Sequence, residues 1–292
     1  MKIDSLIENK IKIPKINKFS AIIGSNPSEG ARSPKLWNKT YKKMNKITRM
    51  IPLDCKSKNL NKLLLNLQKM KNFEGGAIAA PYKENVAKWL GKSISKESKK
   101  IGAVNCIFRD KNKLAGTNTD GEGALISFKQ KFGSIKNKKI MVLGTGGTAK
   151  AVVAYLSSEI GNTANITLIG RSHKKLKFSK SYKNVKSNLW QFLPKLINQH
   201  AIIINCTTIG WGDQKKKSPI KKSILKEIVK STIIFDVIYD PNPTILLKES
   251  KKRKLKFMNG LEMNLQQAVI AFSKVNKFKN LKSIKKYMVS KK

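Results

Sequence analysis

Directly after the apolar run Ile140 to Leu143 the chain reads Gly144, Thr145, Gly146, Gly147, Thr148, Ala149, and a helical pattern follows. A phosphate group needs closely approaching backbone N–H groups and gains from the positive end of a helix dipole, and side chains on such glycines would obstruct both. A glycine cluster alone is common in turns. Between a strand and a helix it points to dinucleotide binding. The next apolar run, Asn165 to Ile169, ends at Gly170, Arg171, Ser172. An Asp or Glu at that place would hold ribose hydroxyls, and none is present. Arg171, Ser172, Lys174 and Lys175 instead suit a 2′-phosphate, which favours NADP over NAD. A solvated basic turn is the alternative in so Lys-rich a chain.

The elements that must carry these residues follow from periodicity. Short β-rich runs at Ala21 to Ile23, Thr48 to Leu53, Gly76 to Ala79 and Ala103 to Arg109 alternate with helical stretches, the rhythm of an α/β domain. Leu60, Leu63, Leu64 and Leu67 recur at i, i+3, i+4 and i+7, an ordinary core stripe. A second series of strands, Ile140 to Leu143, Asn165 to Ile169, Ala201 to Asn205 and Ile233 to Asp236, follows the polar segment Gly133 to Lys139, where a domain boundary is expected. Ala149, Val152, Val153 and Leu156 share one face of the helix after the glycine turn. Met263 to Phe272 and Leu281 to Met288 read as helices, and residues 1–19 as a weakly ordered extension or short helix.

Length and composition bound the possibilities. A chain of 292 residues suits two domains. Its apolar runs fall far short of the roughly 20 residues that span a bilayer, so no membrane role is expected. Three separated cysteines suggest neither a disulfide framework nor a zinc cluster, and fit a reducing cytoplasm. With only His173 and His200, no catalytic metal is expected. The formal charge of +44 would attract any polyanion. Only five of the 61 basic residues are Arg, however, and the lysines are spread along the chain rather than gathered in one stripe. A compositional bias toward Lys, Asn and Ile explains this better than a specific nucleic-acid site.

Several blocks, in order and at suitable spacing over about residues 20–272, resemble the shikimate dehydrogenase family. They are Ile101 to Asn105, Gly116 to Gly121, the glycine turn, Asn205 to Gly210, Asp236 to Leu247 and Asn259 to Gln267. The resemblance implies an α/β architecture with an N-terminal α/β substrate domain (20–132, completed by helices in 259–292), a Rossmann-type NADP-binding domain (133–258) and an active site in the interdomain cleft. It implies that Lys83 and Asp120 are the catalytic pair. Asn105 and Gln267 are then expected to bind ring hydroxyls, and Ser33 and Tyr239 to approach the substrate carboxylate. Cofactor contacts are expected from Gly144, Thr145, Gly146, Gly147, Thr148, Ala149, Arg171, Ser172, Lys175, Thr207 and Gly260. The partner would be a small cyclic polyol, with the chain a monomer or homodimer in the cytoplasm. Interconverting alcohol and ketone moves a proton on oxygen while hydride moves between carbon and nicotinamide, and a lysine–carboxylate pair can serve that proton. Without the resemblance, Lys83 is one lysine of many and Asp120 an ordinary N-cap.

The chain departs from the family's pattern at one end of the expected pocket. The usual S-x-S-P stands as Ala31, Arg32, Ser33, Pro34, and the usual N-V-T-x-P-x-K as Ala77, Ile78, Ala79, Ala80, Pro81, Tyr82, Lys83. Trp37 stands where a His is common, and Trp211 where a Met is frequent. Three alanines thus replace polar groups, so the acid end of the substrate is expected to be substituted, larger or absent. Plain shikimate dehydrogenase, with contacts from Arg32 or Ser33, is the conservative reading; quinate-like acids and other cyclitols are the alternative. Methylene-tetrahydrofolate dehydrogenases share a similar two-domain shape, but the N-T-D-G and D-x-x-Y segments point away from them. A non-catalytic NADP-binding sensor would not need both Lys83 and Asp120.

Overall fold

Alternation along the first strand sets up the first half of the molecule. In β1 (Phe19–Gly24) the residues Phe19, Ala21 and Ile23 enter one apolar cluster while Ile22 enters another, as a period of two requires. The computed structural model describes residues 3–161 and 165–290. The chain forms two compact units, Met1–Thr119 with Leu265–Lys292, and Asp120–Asn264.

In the first unit β1 runs parallel to β2 (Arg49–Asp54) and β3 (Phe73–Ile78). β4 (Cys106–Asp110) and β5 (Lys113–Thr117) add antiparallel, giving the order β2-β1-β3-β4-β5. One face is covered by α2 (Leu60–Lys69), whose four spaced leucines all enter the cluster of Phe19 and Ile23. The other is covered by α1 (Arg32–Lys43), whose Trp37 and Tyr41 pack with Phe272. α3 (Lys83–Leu90) and α4 (Lys96–Ile101) follow β3.

The N-terminal segment is a packed part of this unit rather than a loose extension. After a 3-10 turn at Ile3–Leu6, Leu6 is 1% exposed. Asn9 donates to the Pro52 carbonyl at 3.0 Å and accepts from the Asp54 N–H at 2.9 Å, tying the segment to the edge of β2. Ile3 and Leu6 are buried and Ile7, Ile11 and Ile13 pack partly buried against the core, while Ile16 is exposed, and no period among them marks an element.

The second unit is a six-stranded parallel sheet. Its strands are β6 (Ile140–Leu143), β7 (Ile166–Gly170), β8 (Val185–Leu189), β9 (Ile202–Asn205), β10 (Ile233–Asp236) and β11 (Lys256–Met258). They lie in the order β11-β10-β9-β6-β7-β8. The order reverses between β6 and β9, and such a switch point opens a crevice beyond the carboxyl ends of the strands. Helices α5 (Asp120–Phe132), α6 (Gly147–Glu159), α7 (His173–Leu176), α8 (Leu193–Leu196), α9 (Lys222–Glu227) and α10 (Ile245–Lys252) belong to this unit. α11 (Leu261–Asn276) leaves it, and α12 (Leu281–Val289) packs in the first.

The expected domain limits placed α5 with the first half, whereas it belongs to the compact unit that follows. The reason is a close helix crossing. A Cβ on Gly121 would lie 2.3 Å from the Ala151 carbonyl of α6, and Ala124 and Phe128 pack with Val152, Val153 and Leu156.

Candidate active site

The glycine turn sits at the switch point of the parallel sheet. Gly144 follows β6 with φ +108°, a conformation that glycine adopts without a Cβ penalty. Its N–H donates to the Ile169 carbonyl at 2.9 Å, and an added Cβ would meet the Cys206 carbonyl at 3.0 Å. Gly146 is exposed and caps α6, with open space around its Cβ position. Gly147 opens the helix; Thr145 and Thr148 are half-buried, and Ala149 is fully buried in the unit's core. Ala149 therefore anchors the helix, and only its backbone is free to serve an anion. The open N–H groups at the start of α6 fit a dinucleotide pyrophosphate.

β7 ends beside this turn, where Gly170 leaves room for Thr145. Arg171, Ser172, Lys174 and Lys175 are all exposed immediately after it, and the Ser172 hydroxyl makes no cap bond to α7. This donor set suits a 2′-phosphate.

Across the switch point, a buried network shapes the loops after β9 and β10. Asn205 donates to Asp236 Oδ1 at 3.0 Å, Thr244 donates to Oδ2 at 2.7 Å, and the Ile238 N–H donates to Oδ1 at 3.2 Å. Asn205 Oδ1 accepts from both the N–H and the hydroxyl of Thr207, at 3.0 and 2.7 Å. Burial pushes the Asp236 carboxyl up to about 6 despite these donors. Gly260 is buried and donates to the Ile238 carbonyl at 3.0 Å, and Tyr239, in the loop after β10, is half-buried. Asn205, Asp236 and Thr244 fall inside recognised blocks but were not expected as site residues; their carboxylate–amide–hydroxyl chemistry in one short stretch was the available signal.

The first unit gathers a second set of expected residues. Asn105 donates to the Thr119 hydroxyl at 3.0 Å and to Gln267 Oε1 at 3.3 Å, and accepts from the Thr119 N–H at 2.7 Å. All three are buried, with Asn105 at 3% and Gln267 at 8% exposure. Asn118 donates to the Ala103 carbonyl at 3.1 Å, which fixes the chain leading to Thr119. Thr119 is a member that the expected set omitted. Lys83 opens α3, half-buried, and its carbonyl accepts from the Val104 N–H at 2.9 Å, so it is tethered next to Asn105. Ser33, 5% exposed, lies in the first turn of α1. Lys83, Ser33, Asn105 and Gln267 thus belong to the first unit, while Asp120, 6% exposed at the start of α5, and Tyr239 belong to the second.

Other titratable candidates have structural explanations. His200 is buried between the Leu196 carbonyl at 2.9 Å and the Thr167 hydroxyl at 2.7 Å, and His173 is exposed. Cys55, Cys106 and Cys206 are free and buried, and burial raises all three thiols. Among the described residues no group of His, Cys, Asp and Glu could hold a metal ion, and no helix is long and apolar enough to cross a membrane.

A doubly wound sheet with an open glycine turn, joined in one chain to a second α/β unit bearing buried uncharged polar groups, defines the class of two-domain dinucleotide oxidoreductases. Family models for the shikimate dehydrogenase substrate binding domain and for shikimate / quinate 5-dehydrogenase match residues 22–107 and 127–243. A shikimate dehydrogenase (NADP(+)) of Clostridium botulinum (strain Loch Maree / Type A3) is 34% identical over 261 residues, 86% of this chain and 94% of that protein. A crystal structure of a shikimate dehydrogenase in complex with NADP+ agrees with a TM-score of 0.82 at 28% identity, over 95% of this chain and 96% of that one. A ligand-free 5-ketofructose reductase of Gluconobacter sp. strain CHM43 agrees with a TM-score of 0.76 at 26% identity, over 93% and 98% of the two chains. This chain belongs to the shikimate dehydrogenase family.

Proposed function

We propose that the chain is a cytoplasmic NADP(H)-dependent alcohol dehydrogenase. It reversibly reduces 3-dehydroshikimate to shikimate, a step toward the aromatic amino acids, or a closely related cyclic ketone to its polyol. The observation that carries this reading is the open turn from Gly144 to Ala149 at the switch point, with exposed Arg171 where a carboxylate would select NAD. The relative named as an NADP(+) shikimate dehydrogenase supports the same cofactor and substrate.

Bound NADPH supplies the hydride. The ammonium of Lys83 gives its proton to the carbonyl oxygen and stabilises the negative charge that develops there, and the family's pattern pairs this lysine with Asp120. In the oxidising direction a nearby carboxylate opposes deprotonation of a lysine, so the pair acts as one unit and neither member is the sole base. Asn105, with Thr119 and Gln267, binds ring hydroxyls; these uncharged buried groups reject an analogue lacking a hydroxyl, because they would be left unpaired. Ser33 and Tyr239 approach the far end of the substrate. A neutral ketone is the second reading, favoured by Ala31, Ala77 and Ala79 and by the relative named for 5-ketofructose.

The test is the initial rate of NADPH formation with shikimate, repeated with NAD and with quinate. NADP-dependent turnover of a cyclic polyol is expected. Lys83→Ala should lower kcat by about 10³-fold, within the usual range for a lost proton donor, while the Kd for NADPH stays within about twofold of the parent value. An unchanged kcat in Lys83→Ala would remove the lysine from the mechanism.

A further inference from the structure

β2 lies at an edge of the first unit's sheet, and its carboxyl end grips two loops of the site. Asp54, 7% exposed, closes the strand. One of its carboxylate oxygens accepts from the Ser28 N–H at 2.9 Å, and the other from the Ser28 hydroxyl. Cys55 comes next. Its N–H donates to the Gly24 carbonyl at 2.9 Å, and its carbonyl accepts from the hydroxyl of buried Tyr82 at 2.5 Å. Asp54 thus holds the loop after β1, and Cys55 the loop after β3.

Both loops deliver residues of the site. The Ala31 N–H donates to the Pro27 carbonyl at 3.2 Å, so the turn that Asp54 holds at Ser28 runs directly into α1 and Ser33. Ala31, at the N-cap, has no side-chain oxygen to fix the start of that helix. Tyr82 stands at the N-cap of α3, directly before Lys83, and makes no cap bond either, its hydroxyl being engaged with Cys55. Two charge-assisted bonds from Ser28 and one bond from Tyr82 therefore fix helix starts that lack side-chain caps of their own.

The N-terminal segment completes the open side of this strand end. An edge strand leaves N–H and C=O groups without a neighbouring strand. Here the Asp54 N–H donates to Asn9 Oδ1 at 2.9 Å, and Asn9 Nδ2 donates to the Pro52 carbonyl at 3.0 Å. The Glu8 N–H donates to the Asp54 carbonyl at 2.8 Å. The segment is anchored on both sides of Asn9: Leu6 is buried in the core, and Asn72 donates to the Pro14 carbonyl at 2.9 Å. The Lys56–Glu8 ion pair, at 2.6 Å, is exposed and adds little. Asn9 precedes residues 22–107, which match the substrate-domain family model, so this fastening lies outside the matched region.

We propose that Asn9 and Asp54 are positioning residues: Asn9 fixes the end of β2, and Asp54 passes that placement through Ser28 to Ser33. Tyr82 links the same strand end, through Cys55, to Lys83. The proposal rests on the dehydrogenase reading above, in which Ser33 approaches the far end of the substrate and Lys83 gives the proton. Groups that bind or protonate a substrate lose effect when they are misplaced by a fraction of a bond length. The two branches act on different steps. Loosening Ser33 weakens a contact made alike in the ground and transition states, which raises KM, whereas loosening Lys83 weakens one made in the transition state, which lowers kcat.

The experiment measures kcat and KM for shikimate and quinate in four point variants, with the Kd for NADPH and the amide hydrogen exchange of residues 25–33. Asp54→Ala should raise KM by about tenfold with kcat within about twofold of the parent. Asp54→Asn keeps an oxygen for the Ser28 N–H and gains an amide donor for its hydroxyl, so KM should return to within about threefold. Asn9→Ala should raise KM by about fivefold and speed exchange at residues 25–33 as well as in β2. Tyr82→Phe should lower kcat by about fivefold with KM nearly level. The Kd for NADPH should stay within about twofold throughout. If Asp54→Ala does not fold, Ser28→Ala takes its place, with a KM raised by about threefold for the one lost bond. A change in Tm alone, with kcat and KM at parent values, overturns the proposal, as does a fall in kcat that Asp54→Asn does not reverse. If the parent turns over neither polyol, the failure is that of the dehydrogenase reading, and exchange decides the rest. Faster exchange at residues 25–33 in Asn9→Ala then keeps the fastening, and unchanged exchange ends it.

Discussion

Arg171 is where a single side chain decides the most. It is exposed directly after β7, with Ser172 and Lys175 beside it and no carboxylate at the strand's end. A guanidinium paired with a 2′-phosphate makes charge-assisted hydrogen bonds worth about 1.5–3 kcal/mol. Arg171→Asp removes them and adds a repulsion, while giving ribose hydroxyls an acceptor. The ratio of kcat/KM for NADP over NAD should fall by on the order of 10². A ratio unchanged by the substitution would reduce Arg171 to a solvated basic turn. Ala149 teaches the converse lesson: it sits in the recognised phosphate motif, yet its side chain is 0% exposed and serves the core.

At the level of elements, Asp236 and His200, two buried titratable groups beside neighbouring strands, pull stability in opposite directions. Burial holds Asp236, at the end of β10, up at about 6 against an ordinary 3.8, so between those values the folded chain keeps a proton that the unfolded chain has lost. Its contribution is therefore lost as pH rises from about 4 through 6 and regained on acidification, on the order of 2 kcal/mol. His200 precedes β9, and burial lowers it below its ordinary 6.5. The unfolded chain takes that proton first, so stability is lost as pH falls below 6.5. Urea unfolding between about pH 4.5 and 7.5 should show Asp236→Asn losing stability on acidification relative to the parent, and His200→Gln gaining it. Parallel pH profiles for parent and variants would refute both assignments. These groups also show what could be read in advance. β6 and β10 have the bounds that their continuous apolar runs suggest, because a central strand buried on both faces carries its signal in every residue. β5, β8 and β11 were not legible: β5 and β8 have small or polar residues half open at a sheet edge, and β11 is three residues long. The glycine turn was legible because its chemistry is local. The bonds from Asp236 to Asn205, 31 residues away, and from Asn105 to Gln267, 162 residues away, depend on which strands and helices meet.

For the whole chain, the dominant fact is charge. Sixty-one basic residues face 17 acidic ones, so even complete pairing would leave 44 positive charges. The observed pairs, such as Lys18 with Glu74 at 2.9 Å and Lys252 with Glu249 at 3.1 Å, involve lysines that are 68% exposed and contribute little in water. Self-repulsion among surplus lysines thus outweighs the pairs, and salt should screen it, since the Debye length falls to about 10 Å at 0.1 M. Added NaCl should raise the Tm of the free protein by several degrees between about 20 and 300 mM, where screening of a balanced surface would leave it nearly level. NADPH should respond with the opposite sign. Its phosphates are drawn by the same field and by Arg171, so its Kd should increase over the same salt range, and a 2′-phosphate-free analogue should respond less. A Tm that fell with salt would mean that the few ion pairs, and not the lysine surplus, govern the electrostatics of this fold.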